Sequence, residues 1–287
     1  MTIWVHGPSA WDTVIEVEKY PNPGDFLPAL GKSERPGGSG LNVALALAST
    51  DREVGFITYL GDDEHGAQIR TLLQASALQY LDIQDFNAPT LHALIIKDAS
   101  GERTIIALEP TQFRKLVEPK PEITTKIKSG DIFVFTIWRA EFKPLLAKLN
   151  SMQDITLVGA NALEDSEVRA TVAIGSRKDI SQTFKESNLA EEEEVRNRFE
   201  KIVLTDGSNG AQLIAGDLKI NQPALVSEVV DATGAGDSFL AGFSFALSKG
   251  LSNENSLFLA SAWAASAVAI KSSLPPKWSE VSKRWDL

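Results

Sequence analysis

The sequence predicts an α/β protein: a doubly wound, mostly parallel sheet flanked by helices, with a small antiparallel β lid. Three observations carry this expectation. Apolar runs bounded by Gly, Asp, Asn or Ser alternate with helical patterns along the whole chain, and strands apolar on both faces suit a parallel sheet covered on both sides. Two stretches break that rhythm with period-two alternation, the mark of strands with one buried face. A glycine-rich turn in the C-terminal third stands between an apolar run and a long helical pattern.

In chain order, Ile3–His6 reads as the first buried strand and Thr13–Glu18 as the first alternating one. Leu41–Ala48 is an Ala-rich helix, Val54–Tyr59 a buried strand and Ala67–Ala75 its helix. Leu91–Lys97 and Thr104–Leu108 flank Asp98-Ala99-Ser100-Gly101, a hairpin signal. Asp131–Trp138, Ile155–Ala160, Thr171–Ile174 and Ile202–Thr205 read as further buried strands, with helices at Phe142–Leu149 and Leu189–Phe199. Helices Gly236–Leu247 and Glu254–Ile270 follow, and Trp278 and Trp285 are expected to pack a last helix onto the body. The reading is one domain over residues 1–287, with a discontinuous lid drawn from residues about 12–25 and 88–110. Such a lid would lie over the C-terminal edge of the main sheet, where these folds bind ligands. An ordinary edge hairpin is the plainer alternative.

Composition narrows the function. The chain has 287 residues and no cysteine, so disulfides, a thiolate nucleophile and a thiolate zinc site are excluded. With 28 Lys and Arg against 38 Asp and Glu, its net charge is −10, which argues against nucleic-acid binding. The longest apolar stretch, Leu257–Ile270, falls short of the ~20 residues that cross a bilayer. The first residues lack a basic, long-apolar leader, so a soluble cytoplasmic protein is expected. His6, His65 and His92 have no ligand-like spacing, so no transition-metal site is expected. Glu191–Glu194 reads as a solvated helix face.

The stretch that carries chemistry is Val229-Val230-Asp231-Ala232-Thr233-Gly234-Ala235-Gly236-Asp237-Ser238-Phe239. It reads as an apolar, strand-like run, a glycine-rich turn and the start of a helix. Gly234 and Gly236 let successive amides point one way, and the helix adds unpaired donors and its positive dipole end. That combination suits a phosphoryl group. Asp237, at the helix start, is either a simple N-cap or a carboxylate that takes a proton from an attacking hydroxyl. A P-loop is absent because no Gly-Lys-Ser/Thr follows a glycine at the G-x-x-x-x-G-K-[ST] spacing, and the dinucleotide fingerprint fails because Phe239 stands where its last glycine belongs.

Asp231-Ala232-Thr233-Gly234-Ala235-Gly236-Asp237 resembles the D-x-T-G-A-G-D signature of the ribokinase-like, PfkB-type sugar and nucleoside kinases. Gly37-Gly38-Ser39-Gly40-Leu41-Asn42 resembles that family's G-G-x-x-x-N, and Gly7 and Asp12 its glycine and sugar-binding aspartate after the first strand. Pro23-Gly24-Asp25, Gly61-Asp62-Asp63-Glu64-His65-Gly66, Gly101-Glu102-Arg103-Thr104 and Thr205-Asp206-Gly207-Ser208-Asn209-Gly210 follow in family order. The resemblance implies an ATP- and Mg2+-dependent kinase of a hydroxymethyl group, a sugar-like substrate and a homodimer formed through the lids. It implies Asp237 as the base, and the amides of Gly234, Ala235, Gly236 and Asp237 as the hole for the transferring charge. Asp12, Gly38 and Asn42 would hold the acceptor's hydroxyls; Asn42 as a plain helix cap or first-turn helix residue is the alternative. Ser176, Thr205, Gly207, Gly210, Thr233 and Ala264 would line the nucleotide side, where tight helix packing equally explains the alanine.

Four departures qualify the resemblance. The family's N-x-x-E is Ser176-Arg177-Lys178-Asp179 here, which leaves Asp179 to organise Mg2+ through water with a shorter reach. Ser39 replaces the lysine of ribokinases proper. The sugar-binding glutamate after the middle strand is missing, and Arg139 there would bind an anionic substituent of the acceptor or sit in solvent; Trp138 would stack on a sugar or base. Lys271-Ser272-Ser273-Leu274-Pro275 lacks the Gly-Ala step that helps build a K+ site in relatives, which leaves K+ dependence open. The rival readings are a nucleoside kinase, a catalytically weak binding protein on the same scaffold and, more distantly, a dehydrogenase.

Overall fold

The computed structural model describes residues 1–98, 103–108, 118–152, 156–160, 162–163, 165–178, 193–272 and 274–287. Its strands are β1 (Thr2–His6), β2 (Ala10–Glu16), β3 (Gly31–Gly37), β4 (Glu53–Gly61), β5 (Tyr80–Phe86), β6 (Leu91–Lys97) and β7 (Arg103–Ala107). They continue with β8 (Ile132–Phe135), β9 (Thr156–Ala160), β10 (Ala170–Ser176), β11 (Phe199–Thr205), β12 (Ala211–Ala215) and β13 (Leu218–Gln222). The helices are α1 (Ser39–Ala48), α2 (Glu64–Gln74), α3 (Pro121–Thr124), α4 (Lys143–Asn150), α5 (Glu193–Arg196), α6 (Ala235–Ser248), α7 (Asn253–Ala267) and α8 (Trp278–Trp285).

The large sheet runs β13-β12-β11-β10-β9-β8-β1-β4-β5. It is parallel from β11 to β5, and the β11-β12-β13 edge is antiparallel. The central strands are buried on both faces because each face has its own core. Ile3 and Val5 of β1 join α1, α6 and α7 on one side, while Trp4 between them joins α3 and α4 on the other. Buried Asp131 secures the start of β8 against β1, accepting from Thr2 N at 2.8 Å and from Trp4 Nε1 at 3.0 Å.

The small sheet has the order β3-β2-β6-β7, with β2–β3 and β6–β7 antiparallel and β2–β6 parallel. Strand β3 lies outside the alternating segments read from the sequence. Gly31-Lys32-Ser33-Glu34-Arg35-Pro36-Gly37 carries no apolar alternation, and pairing with β2 makes it a strand. Other differences have similar causes. The run Val229-Val230-Asp231 is not a strand: Val229 and Val230 are exposed, and the amides of Val230 and Asp231 donate to Val268 O instead of to a neighbouring strand. The strand expected over Asp131–Trp138 ends at Phe135, since Thr136–Trp138 turn into the short helical turn Ala140–Phe142. Of the helix expected over Leu189–Phe199, Glu193–Arg196 is helical and Phe199 opens β11; residues 189–192 lie outside the described residues, as does part of the Glu191–Glu194 run.

The C-terminal aromatic residues pack as the sequence suggests. Trp278 of α8 lies edge-on to Phe245 at 4.9 Å and tilted on Trp263 at 5.6 Å, and Trp285 Nε1 donates to Ser266 Oγ at 2.9 Å. Helices α6 and α7 approach closely at Gly242, where an added Cβ would lie 2.9 Å from Ala260 Cα. That contact sets the position of α6, whose first turn faces the site described next. Gly242→Val should therefore destabilise the protein by about 2 kcal/mol in urea unfolding, because the helix backbones have to separate; an unchanged midpoint would show that they can.

Candidate active site

Two glycine-containing turns bring α1 and α6 to one place beside the C-terminal end of β1. At the start of α1, Gly38 is the N-cap with φ 96°, and an added Cβ would lie 2.7 Å from Pro8 O. Gly40 N donates to the same Pro8 O at 3.0 Å. The helix thus begins against the turn that leaves β1, and Ser39 Oγ ties it to Thr136 Oγ1, just past β8, at 3.0 Å. At the start of α6, Gly234 is the N-cap in the left-handed region, φ 75°, and makes no side-chain cap. A Cβ at Gly236 would meet nothing within 4 Å, so packing within the chain does not require that glycine. In a helix a glycine costs about 1 kcal/mol relative to alanine. It leaves space beside its own Cα in the first turn of α6, where the opening amides have no acceptor within the helix.

Between these helix starts stands one hydrogen bond: Asn42 Nδ2 donates to Asp237 Oδ2 at 2.8 Å. Neither side chain caps its own helix: the N-cap of α6 is Gly234 and not Asp237, and Asn42 is a first-turn residue of α1. With the amide nitrogen committed to the carboxylate, Asn42 Oδ1 is left buried and without a partner among the described residues. A buried acceptor in that state is costly unless a ligand supplies a donor. Burial pushes the Asp237 carboxyl up, against the opposing effects of the Asn42 hydrogen bond and the Arg103 charge.

Asp12 belongs to the same cluster. A Cβ at Gly37 would lie 2.2 Å from Asp12 Oδ2, so the G-G turn leaves room for that carboxylate. Burial pushes Asp12 up to about 6; Arg35, its register partner on β3, opposes the shift and the charge of Asp237 adds to it. Asp12, Gly38, Asn42, Gly234, Ala235, Gly236 and Asp237 thus stand close together. Arg35 and Lys97 were not singled out from the sequence, yet both flank Asp231 of the same motif, at 4.0 and 3.4 Å. A basic residue directly before Pro36-Gly37-Gly38 was the available signal for Arg35. Nothing local marks Lys97.

The nucleotide-side residues spread over neighbouring elements. Ser176 and Thr205 are register partners at the ends of β10 and β11, and Gly207 and Gly210 form the turn into β12. Thr233 N donates to Asp231 Oδ1 at 2.9 Å. Ala264 is a partly buried residue of α7, packed against the core that also contains Ala211 and Leu213 of β12. Asp179 lies outside the described residues, and among the described residues no three His, Cys, Asp or Glu gather as a metal-holding group. Arg139 precedes the turn Ala140–Phe142, and its charge reaches Tyr59, whose hydroxyl burial pushes up to about 12. Trp138 is engaged elsewhere: its Nε1 donates to Asp165 Oδ2 at 3.2 Å and its ring packs edge-on to Phe135 at 5.5 Å.

The architecture is the ribokinase fold. It superposes on ribokinase from Thermotoga maritima with a TM-score of 0.79 over 100% of this chain and 99% of the other, at 21% identity. A Methanocaldococcus jannaschii nucleoside kinase superposes with a TM-score of 0.74 over 99% and 98%, at 20% identity. In sequence, Arabidopsis thaliana ribokinase is 25% identical over 94% of this chain and 77% of its own length. A Methanothermobacter thermautotrophicus nucleoside kinase is 24% identical over 85% and 82%. The pattern of the pfkB family carbohydrate kinases matches residues 30–278, so the chain belongs to that family and is a kinase of a sugar or nucleoside. Among the described residues no helix is long and apolar enough to cross a membrane.

The raised Asp12 pKa has a thermodynamic consequence. A carboxyl that binds its proton more tightly folded than unfolded loses stability for the fold as pH rises towards and through about 6. Asp12→Asn should therefore be at least as stable as the wild type near pH 7.5, and the gap should narrow towards about pH 5. Melting temperatures of both proteins across that range check this; a variant that is less stable at neutral pH, with no narrowing, would contradict it.

Proposed function

We propose that the protein transfers the γ-phosphoryl group of ATP to a hydroxymethyl group of a sugar or sugar-like molecule. The observation that carries this reading is the Asn42–Asp237 hydrogen bond, made beside the unobstructed first turn of α6, with Asn42 Oδ1 left for a ligand donor. Asp237 accepts the proton of the acceptor hydroxyl as that oxygen attacks the γ-phosphorus and the bond to the β-phosphate oxygen breaks, releasing ADP. The amides of Gly234, Ala235, Gly236 and Asp237 stabilise the charge on the transferring oxygens, the main task in such a reaction. Its raised pKa makes Asp237 a stronger base than an ordinary carboxylate.

Asp12, the Gly38 backbone and Asn42 hold the acceptor's hydroxyls, and Arg139 would meet an anionic substituent. Thr233, Ser176, Thr205, Gly207, Gly210 and Ala264 line the adenine and phosphate side. Mg2+ brought with the nucleotide would neutralise phosphate charge; Ser176 is the described oxygen donor of its expected site, with Asp179 beyond the described residues. The small sheet acts as a lid. Its β7 edge and the residues after it expose Ile105, Ile106 and Leu108, which supports a second copy of the chain covering that face. A nucleoside acceptor is the second reading, favoured by the nucleoside kinase among the sequence relatives.

ADP release measured over a panel of sugars, sugar acids, sugar phosphates and nucleosides tests the proposal and separates the two acceptors; no acceptor-dependent release from any of them would overturn it. Asp237→Asn should lower kcat by about a hundredfold or more while ATP binding persists, and near-normal turnover would remove Asp237 as the base. Asn42→Ala removes the donor that holds the Asp237 pKa down, so the acid limb of the pH–kcat profile should move to higher pH. An unmoved limb would detach Asn42 from the base.

A further inference from the structure

The loop that leads into α6 is held from the small sheet by a cation. Lys97, the last residue of β6, donates from Nζ to Val230 O at 3.1 Å and lies 3.4 Å from Asp231 Oδ2. The two side chains are 13% and 4% exposed, so solvent screens the pair little. Asp231 Oδ1 accepts from Thr233 N at 2.9 Å, and Arg35 approaches Oδ2 at 4.0 Å. Burial acts to raise the Asp231 carboxyl, but the Thr233 hydrogen bonds, Lys97 and Arg35 hold it below the ordinary range. It therefore remains an anion.

This loop also abuts the segment that lacks the Gly-Ala step of the relatives' K+ site. Val230 N and Asp231 N donate to Val268 O at 2.7 and 3.1 Å, in the segment that runs on to Lys271-Ser272-Ser273-Leu274-Pro275. From that segment Lys271 Nζ reaches Glu16 Oε1 at 2.8 Å. The junction is thus faced by Lys97 from β6, Arg35 from β3, Lys271 from the tail, Asp231 from the loop and Glu16 from β2. Three cations meet two carboxylates. A further monovalent cation would find oxygens already engaged and like charges nearby, which raises the energy of its entry.

We propose that the Lys97 ammonium is a built-in monovalent cation which takes the place of a bound K+ and keeps residues 230–234 in the geometry that aims the first-turn amides of α6. An ammonium and K+ carry the same charge and both seek carbonyl and carboxylate oxygens; the tethered ion is already in place when the lid strand packs. Lys97 is a positioning residue, acting through the loop. Its effect on turnover rests on the kinase reading above, whereas its effect on cation binding does not.

The test compares wild type, Lys97→Met and Lys97→Arg in KCl, methylammonium chloride and tetramethylammonium chloride at equal ionic strength, by thermal melting and by ADP release with the best acceptor of the panel. Wild type should melt at the same temperature and turn over equally in KCl and tetramethylammonium. Lys97→Met should melt lower in tetramethylammonium and lose about tenfold in kcat, the scale of one charge-assisted hydrogen bond. KCl or methylammonium should restore part of both losses by filling the vacated position, and Lys97→Arg should retain most of the wild-type behaviour without them. A wild type stabilised or activated several-fold by K+ over tetramethylammonium overturns the proposal. So does a Lys97→Met protein equally affected in all three salts, which would make Lys97 an ordinary ion-pair partner. Should Lys97→Met fail to fold, the wild-type salt comparison decides alone. Melting differences without acceptor turnover would implicate the kinase reading and leave the cation assignment standing.

Discussion

The hydrogen bond between Asn42 and Asp237 joins residues 195 positions apart, and much of the architecture exists to make it possible. The two helices that carry these side chains lie on the same face of the large sheet, and their first turns converge beside the end of β1. On one side the convergence needs the close approach of Gly38 and Gly40 to the Pro8 turn. On the other it needs the left-handed Gly234, and the tight packing of Gly242 on α7 that sets where α6 runs. A carboxylate held there is pushed up by burial and pulled back by its bond to Asn42 and the Arg103 charge. One change in either helix start alters that balance.

Charge is organised locally. A molecule with a net charge of −10 does not draw phosphate groups through its overall field. The small sheet places basic residues near three acids of the site: Arg35 near Asp12 and Asp231, Lys97 on Asp231, and Arg103 towards Asp237. Each basic residue comes from a different strand, and each acid from the large-sheet body or from β2. The small sheet therefore contributes to the electrostatics around these acids.

Much was legible locally. Buried strands such as Ile3–His6 and Val54–Tyr59 announce themselves because both faces are apolar, and a parallel sheet requires that. Leu91–Lys97 alternates because one face is solvated, whereas Arg103–Ala107, read from the sequence as a strand with one buried face, is exposed along its whole length. The glycines before α1 and α6 were visible because their backbone geometry excludes most other residues. What failed to show was structure made by pairing. Lys32-Ser33-Glu34-Arg35 becomes a strand only because β2 lies beside it, and Val229-Val230-Asp231, apolar enough for a strand, stays irregular because its amides are taken by Val268 O.

By itself, then, the sequence determined the layered α/β class and the glycine-rich turn that opens α6 with Asp237, which follow from periodicity and backbone permissiveness, whereas Asp12 and Asn42 drew notice only through the family resemblance. Only the tertiary structure decided that Asn42 bonds Asp237, that Trp138 is occupied by Asp165 and Phe135, and that Lys97 and Arg35 stand against Asp231. Those are contacts across strand registers and helix crossings. Their energies depend on distance and burial, quantities that no local stretch of residues contains.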